Sequence, residues 1–364
     1  MAEIEQLSLI DTDPDWKKEW QGMPEFSMED VTPQYRIMVS FVTRGDVEEF
    51  AEKLGVRLQA STNSCWYPQR DRRDLLAYQY QGEKIKNKYP ICLPSKGRFD
   101  CQTTGVLLEK MGMDHRFFVE ETEYGEYVKR LGNQRVVKMP FHDLGQGSIP
   151  ARNFIWEWAK ENGHKRHWVV DDNILEFCRC NHNSKLRVNG GGFFSSMEEF
   201  ADRYENIALL GPHDRGFVDD RTETTPFLLN SRVYSCILID TNLAHRWRGR
   251  YNEDTDLSLR CLKDGLCTVL FRALLMRKGG TVGAKTPAMK GGNTDNVYNM
   301  EDQRRAFAES LKEQHPDVVE VVWKFNRWHH QVNYAPFKKN KLIRKPGIVI
   351  PEGVNNYGMV LINT

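Results

Sequence analysis

From Tyr89 onward, short apolar runs alternate with segments of helical spacing. The runs predict strands over YPICLP, HRFFVE, RVVKMP, HWVVDD, IALLG, CILID and CTVLF. Near-continuous apolar strands are what a mostly parallel sheet with both faces covered requires. Between them, helical spacing fits Thr103 to Met111, Ser148 to Lys160 with Pro150 in its first turn, a capping-box start at Ser196 with Glu199, and Asp254 to Lys263 closed by Gly265. The order predicts a Rossmann-like α/β domain over residues 89–335, in which ligands gather at the carboxyl ends of the strands.

Around that domain the pattern is thinner. Residues 1–30 are polar, acidic and aperiodic, a leader from which Trp16, Trp20 and Phe26 would dock on the body. YRIMVSFV from Tyr35 reads as a strand. Val47, Phe50, Ala51 and Leu54 then keep helical spacing up to Gly55, and VRLQAS reads as extended. Residues 31–70 thus predict a small α/β module, 71–88 a charged linker, and 336–364 a basic C-terminal extension.

With 51 Lys and Arg against 50 Asp and Glu, the formal charge is +1, so only local patches bear on a polyanionic partner. Eight scattered cysteines lack the dense spacing of a secreted disulfide framework. The N-terminus has no signal pattern, and the most apolar run, Leu266 to Met276, is too short to span a bilayer and is broken by Arg272. A cytoplasmic protein with no membrane partner is expected.

Four segments carry chemistry. HWVVDDNI ends an apolar strand in Asp171, Asp172 and Asn173, a convergence of oxygen ligands suited to Mg²⁺ or Mn²⁺ shared with phosphates, although Asp and Asn are also ordinary turn residues. YPICLPSKGRFD sets Pro94, Ser95, Lys96, Gly97 and Arg98 directly after a strand, where backbone N–H groups and two cations can receive a phosphate, ribose or base. GSIPARN lies one helix ahead of the Asp pair and puts Arg152 and Asn153 in a first helical turn. RYNEDTDLSLRC opens another helix with Glu253, Asp254 and Asp256. Carboxylates there either cap the helix or act as a general base toward an acceptor hydroxyl. Cys178, Cys180 and His182 share one face of a strand-like segment, but three local ligands fall short of the four of structural zinc.

PSKGR, ARN, VVDDN and NED, in that order and spacing, resemble the GT-A glycosyltransferases. With GSIPARN, KGGNTDN (from Lys290) and RWHHQVNY (from Arg327) added, the chain resembles over roughly residues 86–345 the phage TET-associated glycosyltransferases, which glycosylate 5-hydroxymethylcytosine in DNA. The resemblance implies a GT-A domain, a UDP-sugar donor and a divalent metal, Mn²⁺ or Mg²⁺. It implies that Asp171, Asp172 and Asn173 form the DxD-type motif, Asn173 standing where many members carry an aspartate, and that His330, or its neighbour His329, completes the metal site. Asp254 with Glu253 would be the base. Pro94, Ser95, Lys96, Arg98, Arg152, Asn153, Asp171, Asp172 and Lys290 would hold the donor.

For a DNA partner the chain offers KKNKLIRK, with Lys338, Lys339, Lys341, Arg344 and Lys345, and the aromatics Trp323, Phe325, Trp328 and Tyr334 interleaved with cations. Two other readings stay open: the same enzyme acting on a glycan, lipid or protein, and a catalytically silent DNA-binding module.

Overall fold

A computed structural model of the chain describes residues 16–59, 62, 64–67, 77–249, 251–279 and 301–364. Helices α1 (Trp16–Glu19) and α2 (Arg44–Leu54) precede the sheet. The strands β1 (Tyr78–Gln81), β2 (Ile91–Pro94), β3 (His115–Glu120), β4 (Val136–Met139), β5 (Arg166–Val170), β6 (Ile174–Asn181), β7 (Ser184–Asn189), β8 (Ile207–Asp214), β9 (Phe227–Leu229), β10 (Cys236–Asp240) and β11 (Cys267–Lys278) follow in chain order. Helices α3 (Thr103–Met111), α4 (Tyr124–Leu131), α5 (Ile149–Glu161), α6 (Gly192–Asp202) and α7 (Glu253–Lys263) lie among them, and α8 (Glu301–Gln314) comes after. Strands β12 (Val319–Lys324) and β13 (Arg327–Val332) form a separate hairpin, and β14 (Val360–Asn363) returns to the edge of the main sheet.

The main sheet is mixed, in the order β14-β1-β7-β6-β11-β8-β10-β5-β2-β3-β4 with β9 on β11. Alternation along β2 sends Ile91 and Leu93 into one core with α3 and α6, and Cys92 into the other with α5 and α7. That is why β5 is buried at every position.

The sheet is parallel through β5-β2-β3-β4, and again between β8 and β11 and between β1 and β7, but not throughout. Strand β10 runs antiparallel to both β5 and β8, and β6 turns back on β7 as a hairpin. His182 and Asn183 make that turn in the left-handed region, with φ of 47° and 55°. His182 is therefore swung out of line with the buried Cys178 and Cys180, and the shared metal-binding face is not formed. Helix α6 begins at Gly192, so Ser196 sits inside it, donating to the Phe193 carbonyl at 3.0 Å rather than capping a start.

The flanks differ most from the sequence reading. YRIMVSFV forms no strand, because no neighbour pairs with it, and Tyr35, Ile37, Met38 and Val42 are exposed. Of the expected strand-helix-strand module only α2 stands among the described residues, with Thr43 and Asp46 as its capping box. The leader does dock: Trp20 is buried among Phe200, Phe227 and Phe271. Strand β1, in the expected linker, pairs with β7 and with β14 from the expected extension. Boundaries at 89 and 335 thus cut through one sheet. No helix among the described residues is long and apolar enough to cross a membrane.

Candidate active site

At the carboxyl end of β5 the chain leaves the sheet at Asp171, and the first turn of α3 fixes where it goes. Thr104 Oγ1 donates to the Asp171 carbonyl at 2.8 Å and accepts from the Ile174 amide at 2.8 Å, and Thr103 Oγ1 donates to the Asp172 carbonyl at 3.1 Å. The neighbouring strand β2 ends in the PSKGR loop, whose tight path uses Gly97 at φ 65°. Tyr127 of α4 pins this loop, its hydroxyl 2.7 Å from Ser95 Oγ and accepting from the Arg98 amide at 3.1 Å.

The two strand ends and the start of α5 then close around one cleft. Its walls include Pro94, Ser95, Lys96, Arg98, Arg152, Asp171, Asp172 and Asn173, all expected from sequence, together with Glu120, Ser148 and Lys278, which were not. Lys278 is the last residue of β11. Its one sequence signal was a long apolar strand that ends in Arg277 and Lys278.

Asp171 accepts from Arg152 Nη2 at 3.1 Å and from Lys278 Nζ at 2.6 Å. Burial opposes its ionisation, but the charges of Lys278 and Arg152 outweigh that and hold the carboxyl at about 2. Asp172 accepts from Ser95 Oγ at 2.6 Å and from Arg98 Nη1. Burial nevertheless raises its pKa, only partly offset by Arg98 and Ser95. Lys96 donates to Glu120 at 2.8 Å and also to Asp143.

Arg152 is buried with its guanidinium 4.7 Å from the centre of the Trp247 ring. Asn153 is not in the cleft. Its side chain clamps Trp247, donating to the Trp247 carbonyl and accepting from the Trp247 amide, both at 2.9 Å. It is a positioning residue for Arg152.

Glu253, at the start of α7, reaches this cleft from the side. Its Oε1 lies 3.6 Å from Arg152 Nη1 and accepts from Ser148 Oγ at 3.2 Å. Burial raises its pKa, Arg152 pulls it back, and the charge of Asp254 pushes it up again. Asp254 interacts electrostatically with His330 and Tyr334. The carboxylate pair therefore stands between the cleft and the β12–β13 hairpin. Asp256, the third acid of this helix, is committed to structure, paired with Arg248, Arg260 and His315.

The expected metal set meets a different arrangement. All four carboxylate oxygens of Asp171 and Asp172 already accept from Arg152, Lys278, Arg98 or Ser95. Asn173 Oδ1 is the acceptor left over, buried in the cleft wall without a hydrogen-bond partner. His330 lines no part of the cleft, and no cluster of three His, Cys, Asp or Glu side chains among the described residues can hold a metal. Arranged in this way, Asp171, Asp172, Asn173 and His330 do not fit a divalent ion, because the ion would have to displace the cations already seated on its ligands. Lys290 and the KGGNTDN stretch lie outside the described residues.

A family model described as TET-Associated Glycosyltransferase matches residues 89–286, more than half of the 364 residues. The chain belongs to the TET-associated glycosyltransferase family. Every cleft residue named above, and Glu253 and Asp254 beside it, falls within the stretch matched to the TET-associated glycosyltransferases. The β12–β13 hairpin lies beyond that stretch. No curated protein matches the chain. Among solved structures, a crystal structure of mannose-6-phosphate isomerase from Helicobacter pylori is 10% identical, covering 73% of this chain and 98% of that chain, with a TM-score of 0.24. A superposition of that quality carries no weight for fold or activity.

Proposed function

We propose that this protein is a GT-A-type glycosyltransferase that moves a sugar from a UDP-sugar to the hydroxyl of 5-hydroxymethylcytosine in DNA. The observation that carries the reading is the meeting, in one cleft, of the PSKGR loop, the first turn of α5 and the Asp171–Asn173 strand end, with Glu253 3.6 Å from Arg152. The family supplies the reaction class. The cleft offers the diphosphate four cations, Lys96, Arg98, Arg152 and Lys278. Their fixed positions stabilise charge on the departing phosphate oxygen. Asn173 Oδ1 is an acceptor for a ribose or sugar hydroxyl.

In the transfer, the acceptor oxygen forms a bond to the anomeric carbon as the bond from that carbon to phosphate breaks. The nucleoside diphosphate leaves with the electron pair. The acceptor proton passes to the carboxylate pair of Glu253 and Asp254. No step is assigned to a metal. The cysteines, all free thiols, suit a reducing cytoplasm.

The deciding experiment is mass spectrometry of nucleosides from 5-hydroxymethylcytosine DNA incubated with the protein and a panel of UDP-sugars, with unmodified DNA as control. A hexose- or N-acetylhexosamine-sized gain on the modified cytosine alone is the expected result. Donor hydrolysis without that gain, together with transfer to oligosaccharides, would move the acceptor to a glycan.

A further inference from the structure

The β12–β13 hairpin combines three features that folding alone does not favour. At its tip, Phe325 and Asn326 both occupy the left-handed region, with φ of 52° and 55°. A bulky aromatic side chain is an outlier there. Phe325 is also 87% exposed, and Trp323, two residues back, is 54% exposed. Directly behind the tip, Lys324 and Arg327 stand opposite each other across the ladder, a like-charge pair that disfavours the hairpin. Their side chains lean on neutral partners: Lys324 Nζ donates to Gln331 Oε1 at 2.6 Å, and Arg327 Nε to His329 Nε2 at 2.9 Å.

Local rules broken together at one exposed point mark a functional element. The charge around it says what the element meets. Residues 321–345 contain seven Lys or Arg and no Asp or Glu. A projecting aromatic ring between two cations, backed by such a run, complements a polyanion whose interior is a stack of flat rings.

Resting on the DNA reading above, we infer that Phe325 is a wedge that enters the base stack of duplex DNA beside the modified cytosine. Lys324 and Arg327 would take the flanking phosphates. Exposed apolar side chains inserted at a base step unstack it, and enzymes that act on a base in a duplex must take that base out of the stack. The same hairpin places the extruded nucleotide. His330, in β13 and five residues beyond Phe325, so roughly 16 Å from the tip, interacts electrostatically with Asp254. Opening the stack at Phe325 therefore delivers a nucleotide toward the carboxylate pair.

The test uses the full chain and a duplex with 2-aminopurine next to a single 5-hydroxymethylcytosine. Wild-type protein should raise the 2-aminopurine fluorescence, and Phe325→Ala should abolish that rise. Phe325→Ala should also lower the ratio of duplex to single-strand transfer by at least about tenfold, and Phe325→Trp should restore both. A Phe325→Ala protein with an undiminished ratio and fluorescence would overturn the wedge, as would a wild-type enzyme that modifies single strands but not duplexes. Either result would leave glycosyl transfer to DNA standing. Transfer to neither form of DNA would remove the DNA reading and the wedge with it.

Discussion

Lys278 Nζ donates to Asp171 Oδ2 at 2.6 Å, tying the end of β11 to the end of β5 across 107 residues of sequence. Asp171 also holds Arg152, so one carboxylate sets the position of two of the four cations in the cleft. Lys278→Met keeps the length of the side chain and removes its charge, leaving a buried carboxylate with one cation fewer. Denaturant titration should show a loss of about 3 kcal/mol, the low end for breaking a buried pair because Lys278 is 27% exposed. Calorimetry should show UDP affinity reduced about tenfold, the loss of one charge-assisted contact.

The depressed pKa of Asp171 also predicts a pH dependence. Its folded value, about 2, lies below the ordinary 3.8. The stability it contributes is present above about pH 4 and is lost as the pH falls toward 2. The shift corresponds to roughly 2 kcal/mol. Asp171→Asn should flatten the fall of unfolding free energy between pH 4 and pH 2, and should eliminate donor turnover by releasing Arg152 and Lys278. An unchanged acid limb would mean that Glu176, likewise held at about 2 by Arg277 and Arg215 against its burial, carries the whole effect.

Glu253 shifts the other way. Burial and the charge of Asp254 raise it, so a carboxylate beside the reacting groups gains protons at a pH where ordinary carboxylates have lost them. A base works only when deprotonated, so kcat should fall as the pH drops through this raised value. Glu253→Gln should remove that limb and lower kcat by about 10²-fold or more, with a smaller change in KM. A retained acid limb in Glu253→Gln would show that this carboxyl does not set it.

Much of the cleft was legible because it is built from strand ends. An apolar run that stops abruptly at Asp171, or at Pro94 and Ser95, marks both a strand and its exit, and neighbouring parallel strands bring such exits together. Lys278 is not marked in the sequence because the apolar run CTVLF ends at Phe271, whereas β11 continues past Arg272 to Lys278; running in the same direction as β5, it brings its carboxyl end to the same edge. Asn153 was placed with the donor because spacing shows that a residue starts a helix but not which way it faces. The YRIMVSFV strand failed for a related reason: alternation gives a segment the capacity to pair, and a ladder also needs a neighbour. The β1–β14 pairing was hidden by distance, since Tyr78 and Asn363 meet from opposite ends of the chain.

The occupied carboxylates make a prediction about chelation. With Arg98, Arg152 and Lys278 seated on Asp171 and Asp172, the diphosphate meets protein cations before any ion. UDP binding measured by calorimetry should persist in EDTA and weaken in Lys278→Met. Binding that appears only with Mn²⁺ would mean that an ion replaces these cations on Asp171 and Asp172 when the donor arrives.

The clamp between Asn153 and Trp247 tests how far positioning reaches. Asn153→Ala deletes two hydrogen bonds at 2.9 Å and leaves the buried Trp247 amide without its partner, a cost of about 1–3 kcal/mol. The larger consequence is for Arg152, whose guanidinium rests against that indole ring. A loosened indole lets Arg152 drift from Asp171 while every charge in the cleft remains. The variant should therefore raise KM for the donor several-fold and leave the acid limb of kcat, set by Glu253, in place. If Asn153 instead touched the donor directly, donor analogues lacking single hydroxyls would lose discrimination in Asn153→Ala; equal losses across such analogues would identify a residue that acts through Arg152.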